Sequence, residues 1–436
     1  MHLRGAVATV AGPVLADGHV TVEGNRIVAV GEGPGDGPAL GGPGFLITPG
    51  LINCHHHLYQ WATRGLAQQA TLFEWLVELY PVWARIDERV ERVAARAGLA
   101  ALLRSGCTTA SDHHYVFPGG DLLGVEVAAA RELGIRFHPC RGAMDLGQSA
   151  GGLPPDSVVE DRDAILSAYD AALTAFHDPA PNSMCRIALA PCSPFSVTRE
   201  LMAESAQFAR SRGVRLHTHM AETVEEEAFC LEKFGVRPVE YLEELGWLGD
   251  DVWLAHCVHL DAREVRRFGE TTTGVAHCPS SNARLGAGIA PVAALTAAGA
   301  PVGLGVDGPA SNEAGELAGE LRQALLVARL NGGPQALTVR QALALGTIHG
   351  ARCLGREAEI GSLEPGKLAD IALWDLSGLD HAGIADPVTA FVFGARPYVH
   401  RLLVGGRTVV EDGRLLTGDE EEIARDIEAA SRRLIA

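Results

Sequence analysis

The sequence predicts an α/β protein built on a (β/α)8 (TIM) barrel, with a small β-sandwich domain formed from both ends of the chain. Eight short apolar runs alternate with helical stretches, which is typical of parallel strands buried on both faces. The chain has 436 residues, whereas a barrel alone takes roughly 250. A doubly wound sheet is the rival fold, but no GxGxxG motif follows an early strand, so a dinucleotide-binding fold has little support.

The two ends of the chain are predicted to form the small β domain. Near the N-terminus, GHVTVEGNRIVAVG alternates apolar and polar residues around a Gly24-Asn25 turn, and the Gly/Pro-rich stretch after it predicts a loop. Further on, Leu368–Asp375 and YVHRLLVGGRTVVEDGRLL predict a strand and a second hairpin, and a helix at Glu420–Leu434 closes the chain. We therefore expect residues 1–46 and 356–436 to make the small domain and residues 47–355 to make the catalytic barrel.

The barrel strands are predicted directly from the apolar runs. Helical segments separate most of them, for example Glu88–Arg104, which ends just before Gly106, as is common at helix C-termini. The eight predicted strands are Phe45–Cys54, Thr108–His113, Ile135–Cys140, Arg186–Pro191, Val214–His219, Val252–His256, Gly274–Cys278 and Pro301–Asp307.

Composition excludes several classes of function. The formal net charge of −18 disfavours binding to nucleic acid or to anionic membranes but permits a small neutral substrate. No apolar run is long enough to span a membrane, and the N-terminus lacks the features of a signal peptide, so we expect a cytoplasmic protein. The nine cysteines include no CxxC pair and are expected to be buried thiols rather than disulfides.

Histidines collect at the ends of the predicted strands, where the active site of a TIM barrel lies. His55 and His57 are two residues apart, so both side chains can face the barrel axis. Imidazole and carboxylate side chains converging at one barrel mouth predict a divalent metal site, for zinc or iron. The residues at these ends are His55, His56, His57, His217, His219, His256, His259, His277 and Asp307.

The chemistry that such a site needs suggests a role for three residues. Metal-activated water can attack an electron-poor ring carbon that bears an amino group. Ammonia leaves only after its nitrogen is protonated, so a carboxyl group must shuttle protons. Glu222, three residues past His219, is suited to that role; Asp307 can bind the metal and take a proton from water, and His256 can stabilise developing charge.

The motifs of the chain resemble those of the amidohydrolase superfamily. TPGLINCHHHLYQ, HTHMAET, AHCVHLD, HCPSSNARLGAGIAP, GLGVDGPASNE and GSLEPGKLADIALWD follow one another in the order that the superfamily shows. The resemblance implies His55, His57, His219 and Asp307 as metal ligands, with Glu222 and His256 catalytic. His56 occupies the variable middle position of the HxH pair.

The resemblance also bears on the number of metal ions. Two-metal relatives use a carbamylated lysine at the end of the fourth barrel strand, but that strand here ends in Ala190-Pro191-Cys192, and the two lysines, Lys233 and Lys367, lie elsewhere. We therefore expect one divalent ion per chain, Zn²⁺ with Fe²⁺ as the alternative. The HTHMAE motif resembles the one-metal deaminase branch.

Within that branch the closer resemblance is to the 8-oxoguanine deaminases. It rests on stretches outside the metal motifs, such as LFEWLVELYPVWARI, CRGAMDLGQSAGGLPPDSVVE and APCSPFSVTRELM. It implies conversion of 8-oxoguanine and water to urate and ammonia. Triazine and pterin aminohydrolases share much of this text and are the alternatives, as is a non-catalytic binding protein of the same fold. SDHHY departs from the pattern, because a single histidine is expected there.

Residues for substrate binding are proposed from their positions after the strands. Gln60 could pair with a purine edge, and Arg141 could bind a ring carbonyl or an anionic tautomer. The other candidates are His113, His114, Asn282 and Arg284. Trp61, Trp75, Tyr80 and Trp83 could stack on the ring or simply pack, and the segment from Gln60 to Ile86 is a candidate lid. We expect a purine-like small molecule as ligand and a homo-oligomeric assembly.

Overall fold

The computed structural model describes residues 1–436, with the side chain of residue 398 left out of the description. Its strands fall into two sheets, one closed into a barrel and one open. In chain order the strands are β1 His2–Ala8, β2 Val14–Glu23, β3 Arg26–Glu32, β4 Leu40–Pro49, β5 Leu51–Asn53, β6 Cys107–His114, β7 Arg136–Ala143, β8 Ala188–Pro191, β9 Leu216–Met220, β10 Val252–His256, β11 Gly274–His277, β12 Val302–Leu304, β13 Ile371–Asp375, β14 Tyr398–Val404, β15 Arg407–Glu411 and β16 Arg414–Leu415.

The barrel is closed and parallel, as predicted. Strands β5 to β12 follow one another around it, and β12 closes the ring by pairing with β5 through Leu304 and Asn53. Each of the eight predicted runs contributes one of these strands, because strands buried on both faces read as continuous apolar text. The predicted TIM barrel is therefore confirmed.

The first predicted strand, Phe45–Cys54, needs a correction. This apolar run is two strands: β4 belongs to the open sheet and only β5 belongs to the barrel. The chain passes from one sheet to the other at Gly50, whose N–H donates to the carbonyl of Asp370 at 2.9 Å. The run stays apolar throughout because both strands are buried, so hydropathy alone does not reveal the change of sheet. The predicted Gly/Pro-rich loop likewise ends earlier, since β4 begins at Leu40.

The open sheet unites the two ends of the chain in the small domain that the sequence predicts. Its order is β16-β15-β14-β13-β4-β1-β2-β3, and the expected hairpin turns at Gly24, where φ is +58°. Irregularities in the register, for example between Gly5 and Val7, let the sheet bend. Val20 on β2 and Leu403 on β14 consequently share one apolar core. The division of the chain at residues 46 and 355 stays a prediction.

Helices surround the barrel, and many of them begin at a polar N-cap residue. The side chain of Asp87 accepts from the N–H of Val90 at 2.8 Å and starts the second helix, which spans the predicted Glu88–Arg104. The helices are α1 Leu72–Trp83, α2 Glu88–Arg104, α3 Leu123–Leu133, α4 Arg162–Phe176, α5 Arg199–Arg212, α6 Val224–Phe234, α7 Pro238–Glu244, α8 Ala262–Thr271, α9 Pro279–Arg284, α10 Val292–Ala298, α11 Leu317–Gly332, α12 Val339–Ala344, α13 Gly350–Cys353, α14 Pro387–Phe393 and α15 Glu420–Ile435.

A buried ion pair ties the open sheet to the barrel. Arg136 on β7 donates two hydrogen bonds of 2.9 Å to the carboxylate of Asp370, just before β13. Trp374 on β13 donates to the hydroxyl of Thr48 and packs against Gly106, where a Cβ atom would meet the indole ring. The domains therefore share a specific polar and apolar junction. All nine cysteines are buried and free, and among the described helices none has the length and apolarity needed to traverse a bilayer.

Candidate metal centre and active site

Four barrel strands bring a group of buried polar side chains to one end of the barrel. His55 and His57 follow β5, His219 lies near the end of β9, His256 ends β10, and Asp307 follows β12. Because the carboxyl ends of parallel strands meet at one mouth, these side chains converge. We call His55, His57, His219, Glu222, His256 and Asp307 the mouth cluster.

The hydrogen bonds of His57 and His219 fix the tautomer of each ring. Nδ1–H of His57 donates to the carbonyl of His113 at 2.6 Å, and Nδ1–H of His219 donates to the carbonyl of Cys192 at 2.8 Å. Both Nε2 atoms therefore carry lone pairs, and they lie 3.1 Å apart. Two lone pairs facing each other at this distance repel unless a cation lies between them.

His55 is oriented in the same way through a second imidazole. His217 donates from Nδ1–H to the carbonyl of Trp253 at 2.8 Å, so its Nε2 accepts from Nδ1–H of His55, also at 2.8 Å. Nε2 of His55 is thus another lone pair, and it is buried without a hydrogen-bond partner among the described residues. It lies 3.4 Å from Oδ1 of Asp307.

Electrostatics keeps these ligand atoms in the form that binds a cation. Burial lowers the pKa of His55 and His219 well below the usual value and that of His57 to about 4, so all three rings are neutral at pH 7. Burial alone would raise the pKa of Asp307, but the surrounding imidazoles hold it well below its usual range. The site therefore combines three neutral nitrogen donors with one carboxylate.

The carboxylate of Asp307 is anchored by three hydrogen-bond donors. Ser281 and Ser311 donate to Oδ2 at 2.5 and 3.2 Å, and the N–H of Gly308 donates to Oδ1 at 2.7 Å. Oδ1 lies 3.3 Å from Nε2 of His57. Three convergent lone pairs, one of them orphaned, beside an anchored carboxylate fit a divalent zinc-type ion.

Glu222 and His256 lie beside these four side chains. Nδ1–H of His256 donates to Oδ1 of Asn282 at 2.9 Å, which turns Nε2 toward Oε2 of Glu222 at 3.5 Å and toward Oδ2 of Asp307 at 4.0 Å. Burial raises the pKa of Glu222 to about 7. Burial would lower the pKa of His256, but the Glu222 and Asp307 carboxylates outweigh it and raise that pKa.

Backbone strain is concentrated at this mouth. Asp307 and His256 have φ values of +61° and +71°, and the neighbouring Ala221 and Cys257 have values of +50° and +49°. Non-glycine residues in this region carry a cost of the order of 1 kcal/mol or more each. The strain accompanies the placement of Asp307, His256 and the segment before Glu222.

A cavity lies directly above the mouth cluster. Its polar wall includes Gln60, Glu222, His256 and Asp307. Its apolar wall is aromatic and aliphatic and includes Leu72, Trp75 and Tyr80 of helix α1, with Tyr115, Phe195 and Leu285. Such a wall suits a flat ring, while the polar side places reactive groups against it.

Some of the predicted substrate residues lie at this cavity or behind it. Gln60 lines the cavity, and its Oε1 is buried without a donor among the described residues. Asn282 acts on His256 rather than on the cavity. His113 packs beside His57 and His219, with its Nε2 bonded to the carbonyl of Ala190 at 2.7 Å.

Three other predicted substrate residues do not line this cavity. The guanidinium of Arg141 is buried and paired with Glu160 and Asp121, and it lies over the ring of Phe117. Arg284 is engaged by Glu313 and by two carbonyls of the segment before α1. His114 is bonded to Glu126, away from the cavity. Each side chain is already neutralised or bonded elsewhere, and none of the three lines the cavity.

Other residues of the site are absent from the sequence-based prediction. Ser281 and Ser311, which anchor Asp307, read as ordinary turn and helix-start residues. Glu226 accepts from the N–H groups of Ala221 and Glu222 at 2.8 and 2.9 Å and so holds the strained segment. Tyr115 lies within SDHHY, the stretch that departs from the expected pattern. That departure is the sequence feature that could have identified Tyr115 as a residue of the site.

Comparison with known proteins agrees with this geometry. The Amidohydrolase family matches residues 46–409. The chain is 46% identical to an 8-oxoguanine deaminase of Pseudomonas aeruginosa, over 97% of this chain and 96% of that one. It is 37% identical to an isoxanthopterin deaminase of an unknown prokaryotic organism, over 89% and 86% of the two chains.

A solved structure resembles this one along its whole length. Atrazine chlorohydrolase TrzN from Arthrobacter aurescens TC1, complexed with zinc, superposes with a TM-score of 0.93 at 35% identity, covering 99% of both chains. Fold and site together define a barrel hydrolase built around a His/Asp donor set. The chain belongs to the amidohydrolase family, and the predicted membership is confirmed.

Proposed function

We propose that this protein hydrolytically deaminates a free heterocycle, 8-oxoguanine, to urate and ammonia with the help of one divalent metal ion. The observation that carries the proposal is the convergence of three imidazole lone pairs and the Asp307 carboxylate beside Glu222, at the floor of the cavity. The choice of substrate is supported by the 46% identity to an 8-oxoguanine deaminase over nearly the whole chain.

The proposed ligands are Nε2 of His55, His57 and His219 and the carboxylate of Asp307. An ion bound there would act as a Lewis acid and lower the pKa of a water molecule. We propose one ion at this site, Zn²⁺ with Fe²⁺ as the alternative. The chain has no lysine near the end of β8 to bridge a second ion, and zinc is present in the related atrazine chlorohydrolase structure.

Glu222 would move the protons of the reaction. The oxygen of water bonds to the ring carbon that bears the amino group, and Glu222 accepts the proton that water loses. Glu222 then delivers that proton to the amino nitrogen, and the second proton of water passes to the ring nitrogen of the attacked C=N bond. The bond between carbon and the amino nitrogen breaks, ammonia leaves, and the carbon keeps its oxygen as a carbonyl. A pKa near 7 lets one carboxyl group accept and donate at neutral pH. His256, held by Asn282, would donate from Nε2 to the developing oxyanion.

The cavity walls would orient the ring. Trp75, Tyr80, Tyr115 and Phe195 offer flat apolar surface, and the unpaired Oε1 of Gln60 offers an acceptor for a ring N–H. Binding of substrate by Gln60 stays a prediction, as do the homo-oligomeric state and the cytoplasmic location.

A triazine or pterin is the second candidate class of substrate. It is favoured by the whole-chain structural likeness to an atrazine chlorohydrolase and by the identity to an isoxanthopterin deaminase. The reaction site would be the same, and only the cavity wall would discriminate. A non-catalytic binding protein is disfavoured because every proposed ligand and Glu222 are present.

The test is ammonia release from metal-replete protein with 8-oxoguanine, guanine, isoxanthopterin and an amino-triazine, with urate absorbance recorded in parallel. Release of ammonia and urate from 8-oxoguanine alone supports the proposal, with the Asp307→Asn variant as blank. Release from a different member keeps the mechanism and moves the substrate. No release from any member, with metal bound, overturns the proposed function.

A further inference from the structure

A second buried group of carboxylates and histidine lies behind strand β6. It consists of Glu91 on α2, Asp112 and His114 on β6, and Glu126 on α3, which we call the sealed cluster. His113 and His114 are neighbours on one strand, so their side chains point to opposite faces. His113 joins the mouth cluster, whereas His114 points toward the helices. All four residues of the sealed cluster are at most 1% exposed.

His114 presents a lone pair to two of these carboxyl groups. Its Nε2–H donates to the carbonyl of Val116 at 2.8 Å, so in the neutral ring Nδ1 is the acceptor atom. Nδ1 lies 2.8 Å from Oε1 of Glu126 and 3.8 Å from Oε2 of Glu91. One ligand atom from each of the three residues lies within 4.8 Å of the others.

Four carboxylate oxygens of the sealed cluster have no donors. Neither oxygen of Glu91 has a hydrogen-bond partner among the described residues, and Oε2 of Glu126 and Oδ2 of Asp112 are unpaired as well. Burial raises the pKa of Glu91 well above its usual value and that of Glu126 to about 8. Buried carboxyl groups packed together in this way must share either protons or a cation.

We propose that Glu91, His114 and Glu126 form a second divalent-cation site, separate from the mouth cluster. Two carboxylates neutralise a divalent charge. A metal-binding histidine commonly donates its other ring N–H to a backbone carbonyl, as His114 does here. A donor set of oxygens with one nitrogen suits Mn²⁺ or Zn²⁺. The site is closed on all sides, so the ion is structural and enters as the chain folds.

The proposed ion would lie close to the backbone that carries the mouth cluster. Oδ1 of Asp112 accepts from the N–H of Leu58 at 2.7 Å, immediately after the His55–His57 pair. Asp112 lies against Glu126, and its Oδ1 is 3.7 Å from Nδ1 of His56. An ion held by Glu126 therefore fixes the strand that carries Asp112 and, through it, the backbone next to the proposed catalytic ligands.

Metal content of whole protein tests the site without any assay of activity. The wild type, His219→Ala, Glu91→Gln and the double variant are expressed with Mn²⁺ and Zn²⁺ supplied, and bound metal is measured by elemental analysis. The wild type is expected to hold roughly two ions per chain, each single variant roughly one, and the double variant close to none. Glu91→Gln has the same shape as the wild-type side chain and removes one charge.

A wild type that holds a single ion, unchanged in Glu91→Gln, overturns the proposal and assigns shared protons to the sealed cluster. If Glu91→Gln does not fold, His219→Ala alone decides: one retained ion supports the site and none overturns it. Chelation of His219→Ala during refolding should then lower its Tm if the retained ion is structural. None of these outcomes depends on which heterocycle the enzyme deaminates.

Discussion

The mouth cluster and the sealed cluster are built from the same kinds of side chain on adjoining parts of the molecule. In both, a carbonyl fixes the histidine tautomer, and carboxylates sit in a medium that excludes water. They differ in what they face: Glu222 and Asp307 line the cavity, whereas Glu91 and Glu126 are enclosed by α2, α3 and β6. Chemistry therefore depends on access, and the residue types alone do not reveal it.

The largest expected difference concerns the charged ligand of the mouth cluster. Asp307→Asn removes the only carboxylate of the proposed donor set, so turnover should fall below detection and bound metal should decrease. Asp112→Asn is the matched change in the sealed cluster, where the amide oxygen can still accept from Leu58. Equal loss of turnover in both variants would contradict the assignment of catalysis to the mouth cluster alone.

Glu222→Gln should lower kcat by roughly 10²- to 10⁴-fold, because the amide cannot carry a proton from water to the leaving nitrogen. Metal content should stay at the wild-type value, since Glu222 is outside the proposed donor set. Glu126→Gln provides the comparison from the sealed cluster and should cost much less activity. Retained turnover in metal-replete Glu222→Gln would remove its role as proton shuttle.

The pH dependence of kcat/KM should reflect the same proton-transfer role of Glu222. The pKa of Glu222 is raised to about 7, and the ionised carboxylate must accept the proton of water. As pH falls through 7 the carboxylate becomes protonated, so kcat/KM should decrease about tenfold per pH unit. Metal content measured at each pH separates this effect from loss of the ion. A flat profile down to pH 5.5 would contradict the assignment.

Asn282→Leu should lower kcat by roughly 10- to 100-fold, which is the usual range for a residue that orients a catalytic imidazole. The substitution leaves Nδ1–H of His256 without its acceptor and frees the ring to turn away from Glu222. KM should change little, because Asn282 does not line the cavity. A rise in KM with unchanged kcat would instead restore Asn282 as a substrate residue.

The smallest expected effect on activity belongs to Arg141. Its buried guanidinium is held by Glu160 and Asp121, so Arg141→Met should reduce the free energy of unfolding by roughly 3 kcal/mol. KM for the substrate should stay within about twofold of the wild type. Thermal unfolding and steady-state kinetics on the same preparation check both statements. An increase in KM at unchanged Tm would return Arg141 to the substrate site.

Part of the fold and of the candidate site could be predicted from the sequence alone. The barrel strands were predictable because buried parallel strands appear in the sequence as continuous apolar runs. The His/Asp set was predictable because these residues stand at the ends of those runs. The positions of Arg141 and His114 outside the cavity could not be predicted, because their partners, Glu160 and Glu126, come from other elements that no local pattern indicates. The change of sheet at Gly50 was hidden for a related reason, since both strands on either side of it are buried.

The shared open sheet has a consequence for how the protein is made. Strand β4 leads into the first barrel strand, and one of its edges is covered by β13, which begins at Ile371. A ribosome releases β4 and all eight barrel strands long before that cover emerges. A chain terminated early, before Ile371, would keep every proposed catalytic residue and still expose a long unpaired edge. Such an edge can pair with other nascent chains. Truncated chains should therefore aggregate even when they still contain the whole barrel sequence.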